Sequence, residues 1–363
     1  VYEDTIEQSV KLCKIQMMNI IFPACDASYR DSKTTQQTTH PKGKGHRRGE
    51  HAAHRGRRSA AATQQQRARA LRRSQTETVK EVLDKVIWTM DCFTKLIQRQ
   101  PLIETAVLQL ATVAVMPFFV ENVFDLQSQA LRLCTAIFAK YEKYRQSMLS
   151  DILNSLYRLP SAHQKGGSNV NRTCCYRLLS ATLGSNAEGV DEDDDDDAGD
   201  EFMRHFGVGT IQMITALLMQ LVQCTVSVPS SRGLSRGAPP PPPAEEGGGG
   251  DWGQVDERIL HSYERAQANA TYFLQHFLAK CTSKSEDDYR TLFDAFLADL
   301  LAALHKPEWP AAELFLTVLG KLLVQHINNA KIELSLRVAS LDYLGTIASR
   351  LRKAMGFSNW ARI

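Results

Sequence analysis

The sequence predicts an all-α protein, an α-solenoid of consecutive helical repeats interrupted by three long disordered insertions. Three observations predict it. Large apolar residues recur at steps of three and four through most of the 363 residues, no stretch alternates with period two, and the first interruption, 31–74, is nearly free of apolar side chains beyond alanine. The last third shows the pattern most plainly. Tyr289, Leu292, Phe293, Phe296, Leu297, Leu300, Leu301 and Leu304 fall on one helical face. Lys306-Pro307-Glu308-Trp309-Pro310 stops that helix, since proline lacks the backbone donor and biases its predecessor away from helix, and Pro310 suits the first turn of the next. Leu314, Phe315, Val318, Leu319, Leu322 and Leu323 continue there. After Asn328-Asn329 a third helix carries Leu334, Val338, Leu341, Leu344, Ile347, Ala348 and Leu351. Each helix is too apolar on one side to stand alone in water, and stacking in sequence order buries those sides.

Upstream, a helix over about residues 5–22 places Ile6, Val10, Cys13, Met17, Ile20 and Ile21 together. Helices resume with Val79, Val82, Val86, Met90, Phe93 and Ile97, then with Leu102, Ala106, Val107, Leu110 and Val113 until Pro117. Further ones run from Leu126 through Tyr141 and from Arg145 to Leu159. The stretch Ile211–Val226 is apolar nearly all round, which implies burial on both sides. The expected organisation is helical repeats over 1–30, 75–160 and 254–354, a helix over 207–228, and an atypical tail over 355–363. Between them lie a basic insertion (31–74), an acidic one (161–206) and a Pro/Gly-rich linker (229–253). The chain opens on Val1 with the helical pattern already running by Ile6, so it reads as a piece of a longer protein, and no secretory leader is visible.

Leu102–Val120 and Met213–Val228 are apolar enough to suggest membrane spans. Polar residues interrupt both and the second is short for a span, so buried helices account for them. Eight scattered cysteines without a CxxC pair fit reduced thiols of a cytosolic or nuclear protein. The strings of phosphate-cradling loops, nucleophile elbows and zinc proteases are missing, so no catalysis is expected. His40, His46, His51 and His54 have no thiol near them and Glu50 as the one carboxylate beside them in sequence, and neither a metal nor another cofactor is expected.

The net charge of +3 hides segregation: cations gather between Lys42 and Arg73, and acids between Asp191 and Glu201. The basic insertion holds Lys42, Lys44, Arg47, Arg48, Arg55, Arg57, Arg58, Arg67, Arg69, Arg72 and Arg73 against Glu50 alone. Unpaired cations at that density suit phosphate backbones, with strong salt dependence, or a nuclear localisation patch. A neutral insert of no selected role explains the same composition. Lys140 with Lys143, and Arg350, Arg352 and Lys353, are further candidates for a duplex-facing surface, although cations at helix ends also suit the helix dipole. Arg132 and Arg337, inside apolar strings, are expected to pack between helices and cap a neighbouring carbonyl or pair with an acid such as Asp342.

Leu336-Arg337-Val338-Ala339 is a step common in inner helices of HEAT-type repeats, and longer strings carry a sharper resemblance. Asp288-Tyr289-Arg290 with Leu292-Phe293, Lys306 through Leu314, and Arg337 through Thr346 resemble the Nipped-B family, the large subunit of the cohesin loader. Phe22-Pro23 with Asp26, Tyr29 and Arg30 resembles a family turn in which Cys25 replaces an aromatic residue. Phe118 through Val123 and Ala130-Leu131-Arg132-Leu133 also fit. The likeness covers the helical portions in order and fails in the insertions and beyond about Ala354. It implies a nuclear scaffold of HEAT-like repeats that, with a smaller TPR-type partner bound through a region absent from this chain, brings cohesin subunits onto double-stranded DNA and stimulates their ATPase. It implies neither membrane nor small-molecule substrate, and assigns no DNA- or cohesin-contacting residue. An importin-like transport scaffold would share the architecture but not the Lys306–Leu314 string, and an adaptor without a nucleic-acid role would tolerate loss of the basic insertion.

Overall fold

The computed structural model describes residues 2–26, 29, 56–159, 175–177, 210–226, 252–282 and 289–360. Eleven α-helices lie in them: α1 (Tyr2–Gln16), α2 (Phe22–Cys25), α3 (Gly56–Arg99), α4 (Glu104–Val115), α5 (Phe124–Lys140), α6 (Arg145–Ser155), α7 (Met213–Gln223), α8 (Trp252–Thr282), α9 (Tyr289–Ala303), α10 (Pro310–Asn328) and α11 (Leu334–Trp360). The all-α class is as the periodicity predicts, and sequence neighbours stack from α8 to α11. The chain divides into two compact units, Val1–Leu133 and Cys134–Ile363.

In the first unit α1 packs on α4 and on α3, and a π-helical turn at Met17–Ile21 joins it to α2. Val10, Cys13, Met17 and Ile21 are buried, as are Val86, Met90, Phe93 and Ile97 on the helix they pack against. Pro117 ends α4 as expected and opens a 3₁₀ turn over Met116–Phe119. Gln127 from α5 holds this turn, its Nε2 donating to the Pro117 and Val120 carbonyls at 3.1 Å each. Two strings that carried the resemblance, ninety-five residues apart, meet here. Asp26 Oδ2 accepts the Glu121 N–H at 3.2 Å, and Asn122 Nδ2 donates to the Cys25 carbonyl at 3.1 Å. Asn122 sits at φ 59°, a left-handed backbone that asparagine tolerates better than branched residues.

In the second unit α8 packs on α6, α7, α9 and α10, and α10 on α11. Phenylalanines form its centre: Phe296 meets Phe315 edge-on at 5.6 Å between centroids, Phe277 meets Phe293 at 5.1 Å, and Phe273 touches Phe277, Phe296 and Phe315. Such pairs contribute about 0.5–1.5 kcal/mol each beyond area burial. Pro310 is the first residue of α10, and Trp309 before it is buried. Every residue of α7 from Met213 to Met219 is buried, as an all-round apolar helix requires.

Four expectations need correction. Helix α3 begins at Gly56, within the segment expected to be disordered (31–74). Its Ala-, Gln- and Arg-rich sequence is poor in apolar residues yet strong in helix propensity, and it extends a helix already nucleated in the core. Three-residue strands β1 (Cys175–Arg177) and β2 (Thr210–Gln212) pair antiparallel, Tyr176 opposite Ile211, so α7 starts at Met213 rather than before it. They fall in the expected acidic insertion and at the head of the expected 207–228 helix, and are too short to show a period of two. Helix α11 runs on to Trp360 through the expected tail. Its packed side is only in part the one apolarity selects: Ile347 is buried as expected, but Leu334, Val338 and Leu341 are exposed and Ser340 is buried.

Candidate nucleic-acid interface

The cations named from sequence fall into three groups. Lys42, Lys44, Arg47, Arg48 and Arg55 lie outside the described residues. Arg57, Arg58, Arg67, Arg69, Arg72 and Arg73 are carried by the first half of α3, with their side chains outside the description. The last part of that helix, Val86 onward, is anchored in the first unit by its apolar side.

The second group sits at the turn between α5 and α6. Lys140 and Lys143 are both exposed, and the Lys143 ammonium lies 5.3 Å from the centre of the Tyr144 ring. Arg145, next in line, is used differently. Its Nε donates to the Phe138 carbonyl at 2.8 Å and its Nη2 to the Ala139 carbonyl at 3.2 Å, with the guanidinium stacked 5.6 Å from the Phe138 ring. Burial lowers its pKa, and exposed Glu142, 3.4 Å away, works in the opposite direction. The third group is on α11, where Arg350 and Arg352 are exposed and Lys353 has an undescribed side chain.

Arg337 caps a carbonyl as expected, its Nε donating to Ile327 O at 3.2 Å near the end of α10. Arg290 does the same to Cys281 O at 3.1 Å near the end of α8. With Arg145, three turns are therefore closed alike: an arginine near the start of one helix satisfies a carbonyl in the last turn of the helix before it. The sequence marked only one of them. Arg132 departs from expectation: it is exposed, and it is among the charges that hold the Asp91 carboxyl below its usual range, after the Lys95 ammonium that bonds it.

No group of three His, Cys, Asp or Glu is placed to hold a metal ion among the described residues. Burial drives the Cys134 and Cys13 thiols up and the Cys224 thiol to about 12, so these three are protonated at neutral pH. Asp299 on α9 accepts the Thr215 hydroxyl at 2.6 Å and the Gln212 N–H at 3.0 Å, and so caps the start of α7 from outside. Burial raises its pKa to about 6 although both hydrogen bonds act to lower it. A cleft of about 580 Å³ beside Tyr2, Phe93 and Leu102 has no lysine, arginine or histidine in its wall, so it does not suit a phosphate. No described helix is long and apolar enough to cross a membrane.

No family model matches the chain. Curated proteins do. Nipped-B-like protein B of Danio rerio is 38% identical over 354 residues, which are 97% of this chain and 10% of that one. The Homo sapiens Nipped-B-like protein is 38% identical over 352 residues, again 97% of this chain and 10% of its own length. Nipped-B protein of Drosophila melanogaster is 34% identical over 360 residues and is covered to 14%. Among solved structures, the C-terminal fragment of the Chaetomium thermophilum cohesin loader SCC2 matches with a TM-score of 0.58, at 18% identity, over 96% of this chain and 21% of that one. The fold is therefore shared with that fragment, and the chain spans about a tenth of the length of the first two relatives. With 34–38% identity to these relatives running along nearly all of its residues, the chain is a homologue of one segment of the Nipped-B-like proteins.

Proposed function

We propose that this segment is part of a nuclear cohesin-loading scaffold, one that brings cohesin onto double-stranded DNA in chromatin and stimulates its ATPase, in support of sister chromatid cohesion and transcription. The observation that carries the reading is the continuous likeness to Nipped-B-like proteins along 97% of the chain, joined to a fold shared with a cohesin loader fragment. Helical stacks of this kind act through extended surfaces rather than enclosed pockets. The same likeness favours a loader over an importin-like transport scaffold. The TPR-type partner would bind elsewhere in the longer protein.

The cations of α3, of the α5–α6 turn and of α11 are the proposed contacts to the phosphate backbone. Arg145, Arg290 and Arg337 are set apart from them, since each is committed to a backbone carbonyl. Co-precipitation of cohesin subunits with the protein, together with cohesin's ATPase rate with and without duplex DNA, tests the reading. Recovery of cohesin and a DNA-dependent rise in ATPase are expected. Failure to recover cohesin under conditions where the protein is folded would contradict it.

A further inference from the structure

Within the first unit, the first turns of α1 and the end of α3 leave between them the cleft of about 580 Å³ noted above. Tyr2, Ile6 and Ser9 line it from α1, at steps of four and three residues that set them along about 10 Å of one helix face. Its deeper wall is apolar: Phe93 and Ala106 are buried, and Leu96 and Leu102 are half-buried. The rim is open, with Tyr2 86% and Ile103 37% exposed. Glu3 is the one acidic side chain in the wall, and no basic one joins it. Beside the cleft, Glu104 follows Ile103, and Glu7 accepts the Thr105 hydroxyl at 2.8 Å. The ammonium of Lys11 is taken up by Glu7 at 3.7 Å. Arg99 comes eleven residues after exposed Trp88, three helical turns, and so shares the outward side of α3 with it.

We infer that this cleft docks a short segment of a partner protein, one that buries a large apolar side chain against Phe93 and Leu102 and sets a lysine or arginine beside it, at Glu3. The volume lies in the range of ligand sites, but the exposed rim leaves the cleft open along α1 where a small molecule would need enclosure. An apolar row with that spacing suits a docked peptide, and an exposed tyrosine at its edge is a frequent anchor of such contacts. The acids around the cleft select the flanking charge, because like charges brought together across an interface are strongly disfavoured. Acidic segments are thereby refused. The site is separate from the cations considered above.

Panning a phage-displayed library of random twelve-residue peptides on the full-length protein, then measuring the enriched sequence as a fluorescein-labelled synthetic peptide by anisotropy, tests this. Enriched sequences are expected to carry leucine, isoleucine, phenylalanine or tryptophan within two residues of lysine or arginine. A Kd on the order of 10 µM is expected from one buried anchor. Ser9→Trp, which fills the cleft from α1, and Ile103→Glu, at its exposed rim, are each expected to weaken binding about tenfold. Glu3→Lys is expected to weaken it about fivefold, and to bind better than the wild type does a peptide whose basic residues are replaced with glutamate. Unchanged midpoints of thermal unfolding check that the variants are folded; if Ser9→Trp fails that check, Ile103→Glu decides. No enrichment over an empty support, enrichment of acidic or uncharged sequences, or wild-type affinity in the folded cleft variants overturns the proposal. Each of these outcomes leaves the loading role where it stands, since cohesin recovery is read separately.

Discussion

The guanidinium of Arg145 donates through Nε to the Phe138 carbonyl at 2.8 Å and lies over the ring of the same residue. One side chain thus closes the turn between α5 and α6 by satisfying two carbonyls that the end of α5 leaves without an intrahelical donor. Arg145→Ala is expected to cost about 2–4 kcal/mol, because the buried Phe138 carbonyl is stranded and the stacked surface is lost. Arg145→Lys is expected to recover less than half of that, since an ammonium has no planar fork to serve both oxygens. Urea denaturation followed by circular dichroism measures both; a loss under about 0.5 kcal/mol in the alanine variant would show that the turn closes without the arginine.

Asp26 and Asn122 make a second pin, between the turn after α2 and the turn before α5. Asp26→Ala is expected to cost about 1–3 kcal/mol by leaving the Glu121 N–H without its carboxylate acceptor. At Asn122, glycine is expected to be tolerated better than valine, because φ 59° strains a branched side chain. Midpoints of thermal unfolding for the three variants rank these costs, and equal midpoints for glycine and valine would contradict the backbone argument.

The aromatic centre of the second unit gives a volume test. Phe273 is 1% exposed and touches three other phenylalanines. Phe273→Ala is expected to lose about 3–5 kcal/mol and Phe273→Leu markedly less, as measured by chemical denaturation. A small, equal effect of both would mean that the site collapses around the missing ring.

Asp299 predicts a pH dependence. Its folded pKa, about 6, stands above its ordinary 3.8, so its contribution to stability is fully present below about pH 3.8 and is lost as pH rises through about 6. The loss across that window is roughly 2–3 kcal/mol at about 1.4 kcal/mol per unit. Asp299→Asn keeps an acceptor for Thr215 and Gln212 but does not ionise, so its stability curve between pH 4 and 7 is expected to be flatter than that of the wild type. Parallel curves would show that the carboxyl titrates alike in both states.

Much of this architecture was legible because α9 and α10 repeat their apolar residues with the period of a helix, and because Pro310 can hardly sit anywhere but a first turn. What the sequence hid depends on distance. Arg145 and Arg290 look like surface cations until the carbonyls seven and nine residues before them are in place. Asp26 finds Glu121 only through folding. On α11 apolarity pointed to Leu334, Val338 and Leu341, yet the side facing α10 carries Ser340, whose hydroxyl is satisfied by Leu336 O at 2.7 Å. The first half of α3 was misjudged for a different reason: scarcity of apolar residues argues against a core, but it does not argue against a helix that continues out of one.

Chromatin-bound cohesin, quantified after depletion of the full-length protein and again after its restoration, tests the loading role most directly. The account predicts a drop on depletion and recovery with the wild-type protein. Cohesin levels on chromatin that stay unchanged while the protein is gone would contradict it.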